Sequence, residues 1–231
     1  MDLRGLSALG ATPLDIFGIA VFLVVWTGYT YFADKASEKQ NLNTVMHAHR
    51  LQWMREMLLR ETRIVDGQIL GYTMQNVSLF ASVSVLIIGG LLALLGSAET
   101  ARSAFLALPF VVQTSGSLWE IKVLSLAFLF VYAFFKFAWS LRQFNYTATL
   151  MGASPPPKAE DRHDAHAQKL ARLGTLAVLS YNRGVRSYYF GVALLTWFLH
   201  PVLLAITAVW VARVVYRREF KSKTLKVLTT D

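Results

Sequence analysis

Long uncharged, apolar segments alternate with basic, polar segments along this chain. The clearest apolar segment is 76–96, NVSLFASVSVLIIGGLLALLG, which contains no charged residue. At a rise of 1.5 Å per residue, a helix of this length is about 30 Å long, the thickness of the hydrocarbon core of a bilayer. Segments 16–33 and 118–141 are also apolar over a comparable length. The pattern therefore predicts three membrane spans, at 16–33, 76–96 and 118–141.

A fourth apolar segment, 188–216, permits two interpretations. His200–Pro201 lies near its middle, and a cluster of lysines and arginines follows it. A single span kinked at the proline would place that basic tail outside, against the positive-inside rule. The segment is too short for two full spans of about 20 residues each, so the other interpretation is two half-helices that enter and leave on the cytoplasmic side. Both interpretations remain open from the sequence.

The two long connections, 34–73 and 142–187, are rich in lysine and arginine, whereas Arg4 is the only such residue before the first span. The positive-inside rule predicts that both connections are cytoplasmic and that the N-terminus is outside. Apolar residues recur at helical spacing from Leu42 to Ile69, which predicts one helix over 43–96 with a bend at Gly67–Gly71.

Two shorter apolar stretches complete the prediction. Segment 170–181 is predicted to be a short helix along the membrane that docks on the first cytoplasmic helix. Segment 103–113, which contains Pro109, is predicted to be interfacial or partly re-entrant because it is too short to span. The predicted fold is an all-α, polytopic transmembrane bundle over 1–231, a single integral membrane domain with about four apolar segments and a basic cytoplasmic helical layer.

Composition supports this fold and excludes some function classes. Hydrophobic residues make up 55% of the chain and charged residues only 16%, against about a quarter in soluble domains. The net charge of +9 comes in clusters, and the chain has no stripe of lysine and arginine interleaved with base-stacking aromatic residues, which favours anionic lipid headgroups over nucleic acid. Cysteine is absent, which excludes disulfides and thiolate sites. The beginning of the chain lacks a cleavable-signal pattern, so we expect a multi-pass protein of the cell inner membrane that is targeted by its first span.

Three stretches resemble a known family. They are RETRIVDGQILGYTMQNVSLFASVSVLIIGGLLALLG at 60–96, FVYAFFKFAWSLRQFNY at 130–146, and 181–220 with YNRGVRSYYF, WFLHP and YRREF. In these stretches the chain resembles bacterial members of the DUF599 family, a domain of unknown function found in integral membrane proteins. The resemblance implies a membrane protein with about four apolar segments, and it implies no activity for any residue.

The first candidate site is a polar centre formed by Gln75, Asn76, Ser78, Ser82 and His200. The spacing of Gln75, Ser78 and Ser82 places them on one face of the second span, where they would line a pore or substrate path. The other interpretation is close helix packing through interhelical hydrogen bonds. His200 precedes a proline within an apolar segment, so it either serves a proton or ion path or bonds a carbonyl that the proline frees.

The second candidate site is a group of arginines at the predicted inner helix ends: Arg60, Arg63, Arg142, Arg183 and Arg186. Converging guanidinium groups would bind a phosphate, another anion or a lipid headgroup. The other interpretation is the ordinary positive charge of cytoplasmic segments.

These observations lead to two classes of function. The chain has no catalytic triad order, no phosphate-binding glycine loop and no paired intramembrane carboxylates, so we expect no catalytic residue, cofactor or metal site. The leading hypothesis is a channel or transport component for an ion or small solute, assembled as a homo-oligomer or with a membrane partner subunit. The alternative is a non-catalytic scaffold or accessory subunit that recruits a partner through its basic cytoplasmic helices.

Overall fold

The computed structural model describes residues 10–36, 41–107 and 111–230, and in these ranges the chain is helical without any strand. The α-helices are α1 Pro13–Lys35, α2 Leu42–Leu58, α3 Ile64–Gly96, α4 Ala98–Leu106, α5 Gly116–Gly152, α6 His163–Leu195, α7 Pro201–Phe220 and α8 Lys223–Thr229. Short 3-10 turns at Glu160–Arg162 and Thr196–Phe198 lie before and after α6. The all-α prediction is confirmed for the described residues.

Three helices in the described part are long and apolar enough to cross a membrane. They are α1 with 23 residues, α3 with 33 and α5 with 37. Each contains one of the spans predicted from the sequence, 16–33, 76–96 and 118–141. A chain with three such helices is a membrane protein, because the burial of so much exposed apolar surface requires lipid or protein.

The start of α1 shows how local sequence defines a helix end. Thr12 and Asp15 form a reciprocal cap, in which the Asp15 amide donates to the Thr12 hydroxyl over 3.2 Å and the Thr12 amide donates to the Asp15 carboxylate over 3.0 Å. Pro13 occupies the first helical position, where its missing amide hydrogen costs nothing. The cap satisfies amide donors that have no partner in the first turn.

The predicted continuous helix over 43–96 is wrong. The helix is interrupted at 59–63, so that α2 and α3 are separate helices. Gly67–Gly71, where a bend was predicted, lies within α3. At the break, Asp66 in the first turn of α3 accepts hydrogen bonds from the Trp53 indole and the Arg60 guanidinium, both over 2.7 Å. This carboxylate ties α2 to the start of α3 across the turn, a contact that helical periodicity does not reveal.

Two shorter predictions also change. The predicted short helix over 170–181 is part of the 33-residue α6, because the apolar pattern continues past Tyr181. In the stretch 103–113, the helix α4 extends to Leu106, and Pro109 lies outside the described residues. The amide of Val112 donates to the carbonyl of Leu199 over 3.2 Å, so the end of this stretch pairs with the segment between α6 and α7.

The helices group into two compact units. Unit 1 comprises 1–32, 83–133 and 185–215. Its core is rich in aromatic residues: the rings of Phe22 and Phe190 lie 6.1 Å apart edge to face, and those of Trp119 and Phe198 lie 5.0 Å apart in the same arrangement. Such ring pairs contribute more to stability than the apolar area that they bury would give by itself.

Unit 2 comprises 33–82, 134–184 and 216–231. The rings of Phe80, Phe137 and Tyr181 lie within 5.7 Å of one another. Gly184 lies against this cluster, because a Cβ there would come within 2.6 Å of the Phe137 ring. The C-terminal helix α8 packs against α2 in this unit, and Leu225 of α8 is buried.

Candidate functional site

Four predicted members of the polar centre lie on α3 and in unit 2. Gln75, Asn76, Ser78 and Ser82 are all exposed on the surface of the chain. Among the described residues, none of the four side chains has a hydrogen-bond partner. Gln75, Ser78 and Ser82 share one exposed face of this helix of span length, and Asn76 lies about 100° around the helix from Gln75. We call these four residues the α3 polar face.

His200 lies in unit 1 and caps a helix. Its Nδ1 accepts a hydrogen bond of 3.1 Å from the amide of Val202 in the first turn of α7. This is an N-cap interaction, which satisfies a first-turn donor. From the sequence, His200 was expected either to serve a proton or ion path or to bond a carbonyl freed by the proline; the hydrogen bond that the structure shows is to an amide N–H. The imidazole is half-buried.

The segment between α6 and α7 is a helix break whose cause is Pro201. A residue at 201 with an amide hydrogen would donate to the carbonyl of Trp197 in a continuous helix, and proline has no such donor. Lys122 of α5 supplies it instead, because its ammonium group donates to the Trp197 carbonyl over 3.0 Å. The same ammonium group lies 3.4 Å from the Thr114 hydroxyl and is 5.4 Å from the Trp197 ring.

Asp15 provides the negative charge that accompanies Lys122. Its carboxylate accepts from the Trp197 indole N–H over 2.8 Å and lies 4.0 Å from the Lys122 ammonium. Lys122 is 2% exposed and Asp15 is 5% exposed. A buried charge is tolerated when it is paired and hydrogen-bonded, and this pair meets both conditions. We call Asp15, Lys122 and Trp197 the Asp15 cluster.

The Asp15 cluster could not be recognised from the sequence. The absent donor at Pro201 indicates that the Trp197 carbonyl needs a partner, but it does not say which residue provides it. Asp15 and Lys122 are more than 70 residues from Trp197 along the chain, and each has an ordinary explanation at the end of a span. Their grouping became visible only in the tertiary structure.

The predicted arginine site is divided among internal partners, beginning with Arg60 and Arg63. Arg60 forms the ion pair with buried Asp66 over 2.7 Å. Arg63 donates to the backbone carbonyls of Leu58, over 3.2 Å, and Pro155, over 2.9 Å. Both guanidinium groups therefore stabilise turns of unit 2.

Arg142 and Arg183 also have partners within unit 2. Arg142 donates to the Tyr146 hydroxyl over 2.6 Å, one helical turn away on α5. Arg183 forms an ion pair with Asp34 over 2.8 Å. Neither pair is deeply buried, so these bonds position the side chains without closing them off from solvent.

Arg186 differs from the other four because it belongs to unit 1. It is 2% exposed, and its guanidinium lies 5.9 Å from the centre of the Tyr29 ring. The structure thus gives each predicted arginine a partner within the chain, and none of these contacts joins two of the arginines. An anion at this set remains a prediction from the sequence.

No metal centre is evident among the described residues, in which no three His, Asp or Glu side chains come together in ligand geometry. The donor set of the α3 polar face consists of amides and hydroxyls, and the Asp15 cluster has a single carboxylate. The side chains of the α3 polar face and of the Asp15 cluster are therefore better suited to hydrogen bonding than to metal coordination.

Comparison with known families identifies the chain. A family model described as "Protein of unknown function, DUF599" matches residues 17–224, a range that includes most of α1, all of α3 and α5, and the break before α7. The chain belongs to the DUF599 family. No curated protein matches it, and no solved structure matches it. The resemblance noted from the sequence is confirmed, and the family's description gives a DUF599 chain no activity.

Proposed function

We propose that this DUF599 protein is an oligomeric, multi-pass component of the cell inner membrane that passes an ion or small polar solute along the α3 polar face. One observation carries the proposal. Gln75, Asn76, Ser78 and Ser82 are exposed and lack side-chain partners among the described residues, on a helix that is long and apolar enough to span. In lipid, such groups have no water with which to bond.

The unfavourable exposure of the α3 polar face supports assembly. An amide moved from water into an apolar medium without a hydrogen bond costs about 2 kcal/mol or more. A second copy that presents the same amides and hydroxyls would satisfy them, and several copies would enclose a polar path. Close approach is sterically open, because a Cβ at Gly67, Gly71 or Gly89 would meet nothing within 4 Å, and small residues favour helix association.

Replacement of two serines of the α3 polar face by leucine should stop transport. In liposomes containing the purified protein, we expect the variant Ser78→Leu/Ser82→Leu to lose most of the ion or solute flux that the wild type shows, because leucine removes the hydroxyls and narrows the path. Flux is measured with entrapped dyes for protons and potassium ions and with labelled small solutes. Crosslinking of a single cysteine introduced at Gln75 should give a dimer or higher oligomer.

Thr73→Leu is the matched control for the flux experiment. Thr73 lies about 200° around the helix from Gln75, outside the face that Gln75, Ser78 and Ser82 share, and its hydroxyl donates to the carbonyl of Ile69 within the helix. An equal loss of flux in this control would show that the substitutions reduce flux by destabilising the helix, and not by removing the polar face. If the wild type shows no flux for any solute, while a second protein co-purifies with it in stoichiometric amount, the scaffold hypothesis replaces the transport proposal.

We also propose that α7 returns the chain to the cytoplasmic side. The support is within unit 2, where α8 packs against α2 of the basic connection 34–73. Two helices in contact outside the lipid lie on the same side of the membrane. The break at 196–200 then reverses the chain, and the basic tail obeys the positive-inside rule. The two half-helices considered from the sequence are the interpretation that this packing favours.

A reporter fused after Asp231 tests this topology. We expect fluorescence from a green fluorescent protein fusion and no activity from an alkaline phosphatase fusion, since the first requires the cytoplasm and the second the periplasm. Fusions after Glu99, between the second and third predicted spans and so on the side opposite to the cytoplasmic connections, should give the opposite pair of results. Phosphatase activity after Asp231 would instead support a single kinked span.

A further inference from the structure

A cavity of about 320 Å³ lies between α2 and α6 in unit 2. It is lined by polar and cationic side chains together with two leucines: Asn43, Thr44, His47, Arg172, Thr175, Leu176 and Leu179. Neither the α3 polar face nor the predicted arginine site includes any of these residues. The volume is about ten times the share of one water molecule in the liquid, which is room for a small oxyanion.

Thr175 is the point at which the basic residues of α2 meet α6. The Arg50 guanidinium donates to its hydroxyl oxygen over 2.7 Å, and Nδ1 of His47 lies 2.8 Å from the same oxygen. The Thr175 hydroxyl in turn donates to the carbonyl of Ala171 over 2.8 Å. His47, Thr175 and Arg172 line the cavity. Arg50 does not line it and is connected to it through its hydrogen bond to the Thr175 hydroxyl.

The positive charge at the cavity is not neutralised within the described part of unit 2. Ion pairs of unit 2 include Arg55 with Asp164, Arg60 with Asp66 and Arg183 with Asp34, and none of these involves a residue of the cavity lining. Among the described residues, Arg172 has no hydrogen bond or ion pair, and the Thr175 hydroxyl is the partner of Arg50. A guanidinium has five N–H donors, so Arg172 keeps its donors for a ligand in the cavity that it lines.

His47, which lines the cavity, lies near the positive charges of Arg50 and Arg172. Burial lowers the pKa of His47, and the charges of Arg50 and Arg172 lower it further. The two guanidinium groups come from different helices, and both disfavour the charged form of the imidazole. An anion placed beside them would relieve the repulsion between Arg50 and Arg172.

We propose that this cavity binds a phosphate-type oxyanion, either as free phosphate or as the phosphomonoester headgroup of a lipid. The guanidinium fork matches the geometry of phosphate oxygens, and the Asn43 amide on the rim adds a neutral hydrogen-bonding group. Leu176 is 49% exposed and provides an apolar edge next to the cations. The proposal is independent of the transport function, since it rests on α2 and α6 alone.

Two arms of one experiment separate the sources of the ligand. In the first, the full chain in detergent is titrated with inorganic phosphate, with chloride at equal ionic strength as reference, and binding is followed by calorimetry and by thermal stabilisation. In the second, the chain in phosphatidylcholine nanodiscs is compared with and without phosphatidic acid, and retained lipid is counted by native mass spectrometry. Binding in the first arm alone identifies free phosphate, and binding in the second identifies the headgroup; either supports the proposal.

Arg172→Gln is the test variant and Arg217→Gln is its control. Both arginines are exposed in unit 2, and both substitutions remove one positive charge. We expect Arg172→Gln to weaken binding about tenfold and Arg217→Gln to change it by less than about twofold, because only the first removes a charge-assisted hydrogen bond. Should Arg172→Gln fail to fold, Arg172→Lys against Arg217→Lys provides the same comparison.

The proposal is overturned by either of two results. One is the absence of wild-type binding in both arms. The other is an equal loss of affinity in Arg172→Gln and Arg217→Gln. This would show that the anion is attracted by the overall positive charge of the surface and not by a specific binding site.

Discussion

Lys122→Met should destabilise the protein by about 3 kcal/mol, the cost observed when one partner of a buried ion pair is removed. Two groups lose their partner at once: the Trp197 carbonyl loses the donor that replaces the Pro201 amide, and Asp15 loses its neighbouring positive charge. Methionine has a similar volume to the lysine stem. The loss of stability is therefore expected to come from the polar groups that lose their partners, and less from altered packing. Thermal unfolding of the purified chain in detergent, followed by circular dichroism, measures it.

Lys136→Met on the same helix is the control for this prediction. Lys136 is half-buried and can keep its ammonium in water while its stem covers apolar surface, so we expect a smaller loss. The double variant Lys122→Met/Asp15→Asn should recover part of the stability, since it removes the unpaired charge and leaves only the carbonyl without a donor. Equal losses in Lys122→Met and Lys136→Met would show that the Asp15 cluster has no special contribution.

Gly18→Ala should destabilise the protein by about 1–3 kcal/mol, the cost of an overpacked site. A Cβ at position 18 of α1 would lie 2.6 Å from the carbonyl oxygen of Pro201. This neighbour is a backbone atom at the first residue of α7, so it cannot move aside as a flexible side chain does. The clash forces α1 away from the break, and we expect a lower unfolding temperature in the same detergent assay.

Gly28→Ala is the matched control, because it makes the same substitution ten residues later on the same helix. A Cβ at Gly28 would meet nothing within 4 Å, and alanine is favoured over glycine inside a helix by up to about 1 kcal/mol. This variant should therefore be neutral or slightly more stable. A loss in Gly28→Ala as large as that in Gly18→Ala would contradict the close approach of α1 to Pro201.

The span-length helices could be predicted from the sequence because their signal is local. A helix in lipid satisfies its own backbone hydrogen bonds, so length and the absence of charge are sufficient to recognise 76–96 without knowledge of its neighbours. The helix cap at Thr12 and Asp15 is likewise contained within four residues. The α3 polar face was predicted for the same reason, since helical spacing alone places Ser78 and Ser82 together.

Features that depend on distant residues could not be predicted in this way. The apolar periodicity before 76–96 continues across 59–63, yet the chain turns there because Trp53 and Arg60 bond Asp66. Similarly, arginines at inner helix ends look alike in a sequence. Their difference lies in whether a carboxylate from another segment reaches them: Asp34 reaches Arg183, whereas Arg172 has no such partner among the described residues.

The sequence by itself determined that this is an all-α membrane protein with three span-length helices, because both properties follow from composition and local periodicity. It also marked His200–Pro201 as unusual, since proline removes a backbone donor wherever it stands. Only the tertiary structure decided which group replaces that donor and which arginines have a carboxylate partner. The replacement is Lys122, held by Asp15; Asp34 pairs with Arg183, and no described carboxylate pairs with Arg172. Such pairings depend on distances between side chains far apart in the chain, and those distances exist only once the helices have packed.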